Sequence, residues 1–270
     1  MFIVSLLKNL RLWAALGLLV ILAGCATSGF GGGAASGEIQ TAVDDTDARK
    51  RARTRLTLAA SYYEHGQPTV ALDEVKRAIQ ADSSFADAYN LSGLIYLALN
   101  EQGMAQNHFE RAISLNPRDG NAIHNLGWLQ CQQGQYAAAA QSFQRALAIP
   151  SYTERPKTMM AQGVCEARGG DLAQAEATLM RSYELDAGNP VTGYNLSAVL
   201  YKRGDYNRAQ FYIRRINNGE YSNAQSLWLG IRVERRLKNT QAMDQLAAQL
   251  RRRFPQSPEL SAYERGAFDD

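Results

Sequence analysis

The sequence predicts an all-α fold, a superhelical array (α-solenoid) of six helical hairpins, and three observations carry that expectation. A pattern of small residues returns at a near-constant interval. Glycines recur where the two helices of a hairpin must turn, a place that suits a residue free to adopt left-handed backbone. No run of strand length shows convincing period-two alternation, while alanine and leucine, strong helix formers, dominate the 46% apolar content.

The clearest unit is Asp87–Pro117. Read as helix, Tyr89, Ser92, Gly93 and Tyr96 share one face, and Ala105, Phe109 and Ala112 share another, before Pro117 stops the chain. Two short amphipathic helices that meet through small residues and end in proline resemble a tetratricopeptide repeat, a unit of about 34 residues. Numbered from Ala86, the unit recurs from Ala52, Gly120, Pro156, Pro190 and Ala224. Position 8 reads Ala59, Gly93, Gly127, Gly163, Ser197 and Ile231; position 20 reads Ala71, Ala105, Ala139, Ala175, Ala209 and Met243. Position 27 reads Ala78, Ala112, Ala146, Ser182, Ile216 and Leu250, and the hairpin turn carries Gly66, Gly134, Gly170 and Gly204. The register advances by 34 except between the third and fourth copies, where it advances by 36. The two extra residues belong in the Pro150–Pro156 connector, whose prolines forbid continuous helix. The six repeats are therefore expected over 47–257, with Asp47 as N-cap of the first helix, that helix running to about Glu64, and 258–270 as a cap over the last repeat.

The N-terminus is a different object. Lys8 and Arg11 precede the apolar run Leu12–Gly24, short for a membrane span, which needs roughly 20 residues, and suited to a signal-peptide core. The run ends in Leu22-Ala23-Gly24-Cys25, which resembles a bacterial lipobox. Residues 1–24 are thus expected to be removed and Cys25 to be acylated, and Ala26 rather than aspartate after it leans toward the outer membrane. Several acyl chains anchor far more firmly than one, at about 0.8 kcal/mol per buried CH₂. Residues 25–46 read as a flexible lipidated tether, a coil spanning roughly 25 Å. Gly29–Ala34 matches a dinucleotide-binding spacing, but no strand precedes it and no βαβ unit surrounds it. Removal of Lys8 and Arg11 lowers the net charge from +3 to +1, so overall charge selects no partner, and nucleic acid is not expected.

Little in the sequence suggests chemistry. His65, His108 and His124 have no second ligand at metal spacing, and no nucleophile-elbow, zinc-protease or phosphate-loop pattern occurs. No catalytic residue, metal, cofactor or small-molecule substrate is expected. Cys131 and Cys165 fall at positions 12 and 10 of neighbouring first helices, about 200° apart around the helix. On that ground buried free thiols are expected rather than a bridge.

A protein partner is the better expectation. The first helices of such arrays line the concave surface, and here that surface carries Leu56, Tyr63, Asn90, Leu94, Leu97, His124 and Trp128 across three copies, with Tyr194 and Tyr201 further on. Contiguous apolar and aromatic area of this kind marks an interface, suited to a peptide or helix lying in the groove. The other end is basic: between Lys202 and Arg253 there are twelve Lys or Arg against four Asp or Glu. Arg232, Arg235 and Arg236 bring that charge onto the concave side, where an acidic partner or an anionic envelope polymer would meet it.

Three stretches are not repeat consensus: Tyr152–Pro156 (YTERP), Leu200–Tyr206 (LYKRGDY) and Asn223–Arg232 (NAQSLWLGIR). With the lipobox and the six repeats, they resemble the type IV pilus biogenesis/stability lipoprotein family, the pilotins of the pilus secretin. The resemblance implies an adaptor lipid-anchored through Cys25 in the outer membrane, facing the periplasm, that helps a secretin subunit reach that membrane and multimerise. Two other classes fit the same features: a lipid-anchored scaffold of outer-membrane protein assembly, and an envelope or peptidoglycan-linked scaffold using the basic end.

Overall fold

The computed structural model describes residues 45–268, and Cys25 with the whole leader and most of the tether lies outside them. Among the described residues there are thirteen α-helices and no strand. They are α1 Asp47–Glu64, α2 Pro68–Ala81, α3 Ala86–Ala98, α4 Gln102–Leu115, α5 Gly120–Gln132, α6 Tyr136–Leu147 and α7 Arg155–Arg168. They continue as α8 Leu172–Leu185, α9 Pro190–Lys202, α10 Tyr206–Asn217, α11 Ala224–Arg236, α12 Thr240–Arg253 and α13 Pro258–Glu264. Consecutive helices pair as six antiparallel hairpins, and α13 packs on α11 and α12 with Leu260 buried. Successive first helices (α1, α3, α5, α7, α9, α11) touch one another, whereas successive second helices do not. The stack is therefore tighter on the first-helix side, which makes that side concave.

Small residues set the hairpin spacing. Ala59, Ala71, Ala105, Ala139, Ala175 and Ala209 are fully buried, as are Ala78, Ala112 and Ala146. Gly93 in α3 lies against Phe109 of α4, and a Cβ there would stand 2.6 Å from Cδ1 and 2.9 Å from Cζ of that fully buried ring. Gly163 meets Leu179 in the same way, with a Cβ only 2.6 Å from Cγ. Where position 8 is Ser197, its hydroxyl donates to the Ala209 carbonyl at 2.9 Å, so the close approach also satisfies a buried polar group.

The hairpin turn uses left-handed backbone in every copy. Gly66, Gly134, Gly170 and Gly204 have φ between 70° and 92°. The equivalent residues of the second and sixth copies are Asn100 (φ 63°) and Lys238 (φ 58°). Asparagine tolerates this region through its short polar side chain; lysine has no such help.

Two expectations are corrected. The N-cap of α1 is Thr46, whose hydroxyl accepts the Arg49 amide at 3.1 Å, one residue before Asp47. Cys131 and Cys165 form a disulfide, with Cα atoms 5.7 Å apart. The angular argument against it was inverted: residues on two side-by-side parallel helices face each other when they point in opposite directions, and 200° is close to that. The bridge ties the third repeat to the fourth next to the longer connector, 148–154, where the register gains its two residues. Tyr152 turns inward there, 7% exposed, against the Cα of Gly120.

Two measurements test this packing. Gly93→Ala should lower stability by about 1–2 kcal/mol, since the clash with Phe109 outweighs the helix-propensity gain, whereas Gly103→Ala, with nothing within 4 Å, should raise it by a few tenths. Thermal melts by circular dichroism read both signs. Dithiothreitol should lower the melting temperature of the wild type and leave Cys131→Ser unchanged; closing a 34-residue separation is worth about 3–4 kcal/mol in the chain-entropy account.

Candidate functional site

The concave face is built from the inward stripe of each first helix, and its two ends differ. At the N-terminal end Leu56 and Tyr63 are half-buried over the cluster formed by Ala52, Ala59, Val75 and Phe85. Leu94 and Leu97 pack beside Phe109 and Leu129, keeping part of each side chain accessible. Asn90 and Asn125 join α3 to α5, the Asn125 amide donating to Asn90 Oδ1 at 2.9 Å. Trp128 lies on the disulfide cluster with Cys131, Phe143 and Cys165, and the Arg168 guanidinium sits 5.2 Å from its ring. Leu56, Tyr63, Leu94, Leu97 and Trp128, each half-buried, form a partly accessible apolar wall interrupted by Asn90.

His124 departs from the expected surface position. It is 7% exposed, with Nδ1 2.8 Å from the Thr158 hydroxyl, which in turn is 2.7 Å from the Tyr152 hydroxyl. Its ring centroid lies 5.7 Å from that of Phe143. Thr158 at the start of α7 and Tyr152 from the lengthened connector cover it, so His124 sits inside the wall as a junction between repeats. Burial, aided by Lys157, holds its pKa down at about 4.

The C-terminal end is sculpted and charged. A cleft of about 370 Å³ opens between α9 and α11, lined by Tyr194, Tyr201, Lys202, Trp228 and Arg232, with Glu259 of α13 at its edge. Each arginine of the predicted stripe lies over an aromatic ring: Arg232 over Tyr201 at 4.8 Å, Arg236 over Tyr206 at 4.9 Å, and Arg235 over Phe268 at 4.2 Å. For Arg232 and Arg236, cation–π contact of this kind orients the guanidinium and keeps its charge. Several other cations of the basic stretch are paired. Arg203 and Arg208 both bind Glu176, Arg214 binds the buried Glu234 at 2.8 Å, and Arg253 donates to the Ser222 carbonyl at 3.0 Å. Trp228 was missing from the sequence-derived stripe, although it falls at the same repeat position as Asn90, His124 and Tyr194. Among the described residues no cluster of three or more His, Cys, Asp or Glu could hold a metal ion.

Tetratricopeptide-repeat models match residues 56–102, 86–119 and 108–141. The type IV pilus assembly protein PilF of Pseudomonas aeruginosa is 26% identical over 248 residues, 92% of this chain and 95% of that protein. The crystal structure of PilW, a widely conserved type IV pilus biogenesis factor, superposes with a TM-score of 0.74 at 28% identity, covering 78% of this chain and 97% of that one. This chain is a tetratricopeptide-repeat protein related to type IV pilus assembly factors. A structure of Pseudomonas aeruginosa PilF, 24% identical with a TM-score of 0.73 over 82% of this chain and all of that one, shares the fold. In this tetratricopeptide-repeat protein the stretches outside repeat consensus have structural work. Tyr152 seals the third junction, Tyr201 and Tyr206 pack at 5.5 Å beneath two arginines, and Asn223 with Ser226 forms a capping box that starts α11.

The buried histidine gives a testable pH dependence. Between about pH 6.5 and pH 4 the unfolded state takes up a proton on His124 that the folded state refuses, so stability falls as pH falls through that window. The loss amounts to about 3 kcal/mol at its limit. Urea melts across pH 4–7.5 should show this slope, and His124→Gln should reduce it, leaving the smaller contribution of His108, whose pKa burial also lowers. Asp82 titrates outside the window, because Arg49 at 2.5 Å and Ser84 hold its carboxyl at about 2.

Proposed function

We propose that this protein is a lipid-anchored adaptor of type IV pilus biogenesis that binds an unassembled secretin subunit and promotes its localisation and multimerisation in the outer membrane. The observation that carries the reading is its likeness to pilus assembly and biogenesis factors across nearly the whole chain. The N-terminal concave wall supports the same reading, since Leu94, Leu97 and Trp128 offer a partly open apolar surface on a preformed scaffold. Acylation of Cys25 holds the array within the reach of its tether from the inner leaflet, roughly 25 Å, and so raises the local concentration of what it captures. Capture needs no turnover: the array shields an apolar segment of the secretin subunit and presents it at the membrane where the ring assembles.

The test is a deletion strain probed for heat-stable secretin multimers and their membrane fraction, complemented with wild type, Cys25→Ala or Trp128→Ala. Multimers should vanish on deletion and return with wild type. Cys25→Ala should leave the protein unanchored and lower the membrane-bound fraction of the secretin. Trp128→Ala should weaken secretin capture several-fold while circular dichroism stays helical. Unchanged multimers in the deletion strain would refute the proposal and leave a general envelope scaffold as the better account.

A further inference from the structure

From the cleft between α9 and α11 we infer a second docking site, separate from the N-terminal wall, whose occupant is a partner peptide carrying an aromatic side chain next to carboxylates. The aromatic half of that statement rests on the lining: Tyr194 and Tyr201 stand on one side and Trp228 on the other, around about 370 Å³ of open volume. A ring inserted there meets π faces and edges on both walls. The acidic half rests on charge. Lys202 and Arg232 face the cleft against the single carboxylate of Glu259, and neither Lys202 nor Arg232 makes an ion pair among the described residues. Arg232 is held over Tyr201 at 4.8 Å, so its position is set before a ligand arrives and little side-chain entropy is lost on binding.

The chain itself displays the chemistry on the adjoining surface. Phe268 stacks on Trp228 with centroids 5.4 Å apart and planes 27° apart, and the Arg235 guanidinium lies 4.2 Å from the Phe268 centroid. An aromatic side chain between Trp228 and an arginine is thus already a stable arrangement at this end of the array. In the sequence that phenylalanine is followed by Asp269 and Asp270.

Calorimetric titration of the protein with the blocked tetrapeptide acetyl-Glu-Phe-Asp-Asp-amide tests the site. Binding in the submillimolar range at about 50 mM salt is expected, weakening as salt rises. Arg232→Glu and, at the exposed edge of the cleft, Lys202→Glu should each weaken it about tenfold or more while circular dichroism stays helical, and so should replacing the peptide phenylalanine by alanine. Trp128→Ala should bind the peptide as wild type does, which separates this site from the proposed secretin-binding wall. No heat up to millimolar peptide would overturn the inference. Affinity unchanged by Arg232→Glu, or by loss of the peptide ring, would overturn it as well.

Discussion

The whole array depends on how closely two helices can approach inside a hairpin. Gly93 against Phe109 and Gly163 against Leu179 leave no space for a Cβ, and the alanines at positions 20 and 27 are fully buried in the first three copies. That spacing fixes the crossing of each pair, and the crossing fixes which stripe of each first helix turns inward. Because each hairpin contacts only its neighbours, an error of spacing in one copy rotates everything beyond it. The concave surface is therefore a product of small residues that lie nowhere on it.

This is why the fold was legible in the sequence. A residue chosen for close approach has few substitutes, so glycine, alanine and serine return at positions 8, 20 and 27 and reveal the register directly. The helix starts at Ala86, Gly120, Pro190 and Ala224 coincide with the expected repeat starts, and the fourth differs by one residue. The turns were legible only where they used glycine. Asn100 and Lys238 adopt the same left-handed backbone, and register alone, not residue type, pointed to them. Copy six departs furthest from the pattern, with Ile231 and Leu250 fully buried where the first four copies have small residues. There Gly230, one position earlier, lies against Leu246 of the hairpin's second helix, a Cβ standing 3.1 Å from its Cδ1.

The site was legible in part, and the failures concentrate at one junction. The two-residue insertion between the third and fourth repeats carries Tyr152 inward, and Tyr152 with Thr158 covers His124, which repeat geometry had placed on the surface. The same junction holds the disulfide. Periodicity describes what is common to all copies, so it has nothing to say where two copies are joined differently. A wheel drawn for one helix also hides what a neighbouring helix does, and Cys131 and Cys165 meet because each belongs to a separate wheel.

The basic C-terminal end shows how charge counting and structure divide the same observation. Twelve cations against four acids looks like a strongly positive face. Glu176, on the preceding repeat and outside that stretch, takes up Arg203 and Arg208, and Glu234 takes up Arg214. On the concave side Arg232 and Arg236 lie over Tyr201 and Tyr206. An arginine on a solvated face explores many rotamers and meets a ligand at an entropic cost of up to about 2 kcal/mol. One held over tyrosine has lost most of that freedom on folding. Stacking on Tyr201 keeps the charge of Arg232 while fixing its place, whereas a salt bridge would neutralise it.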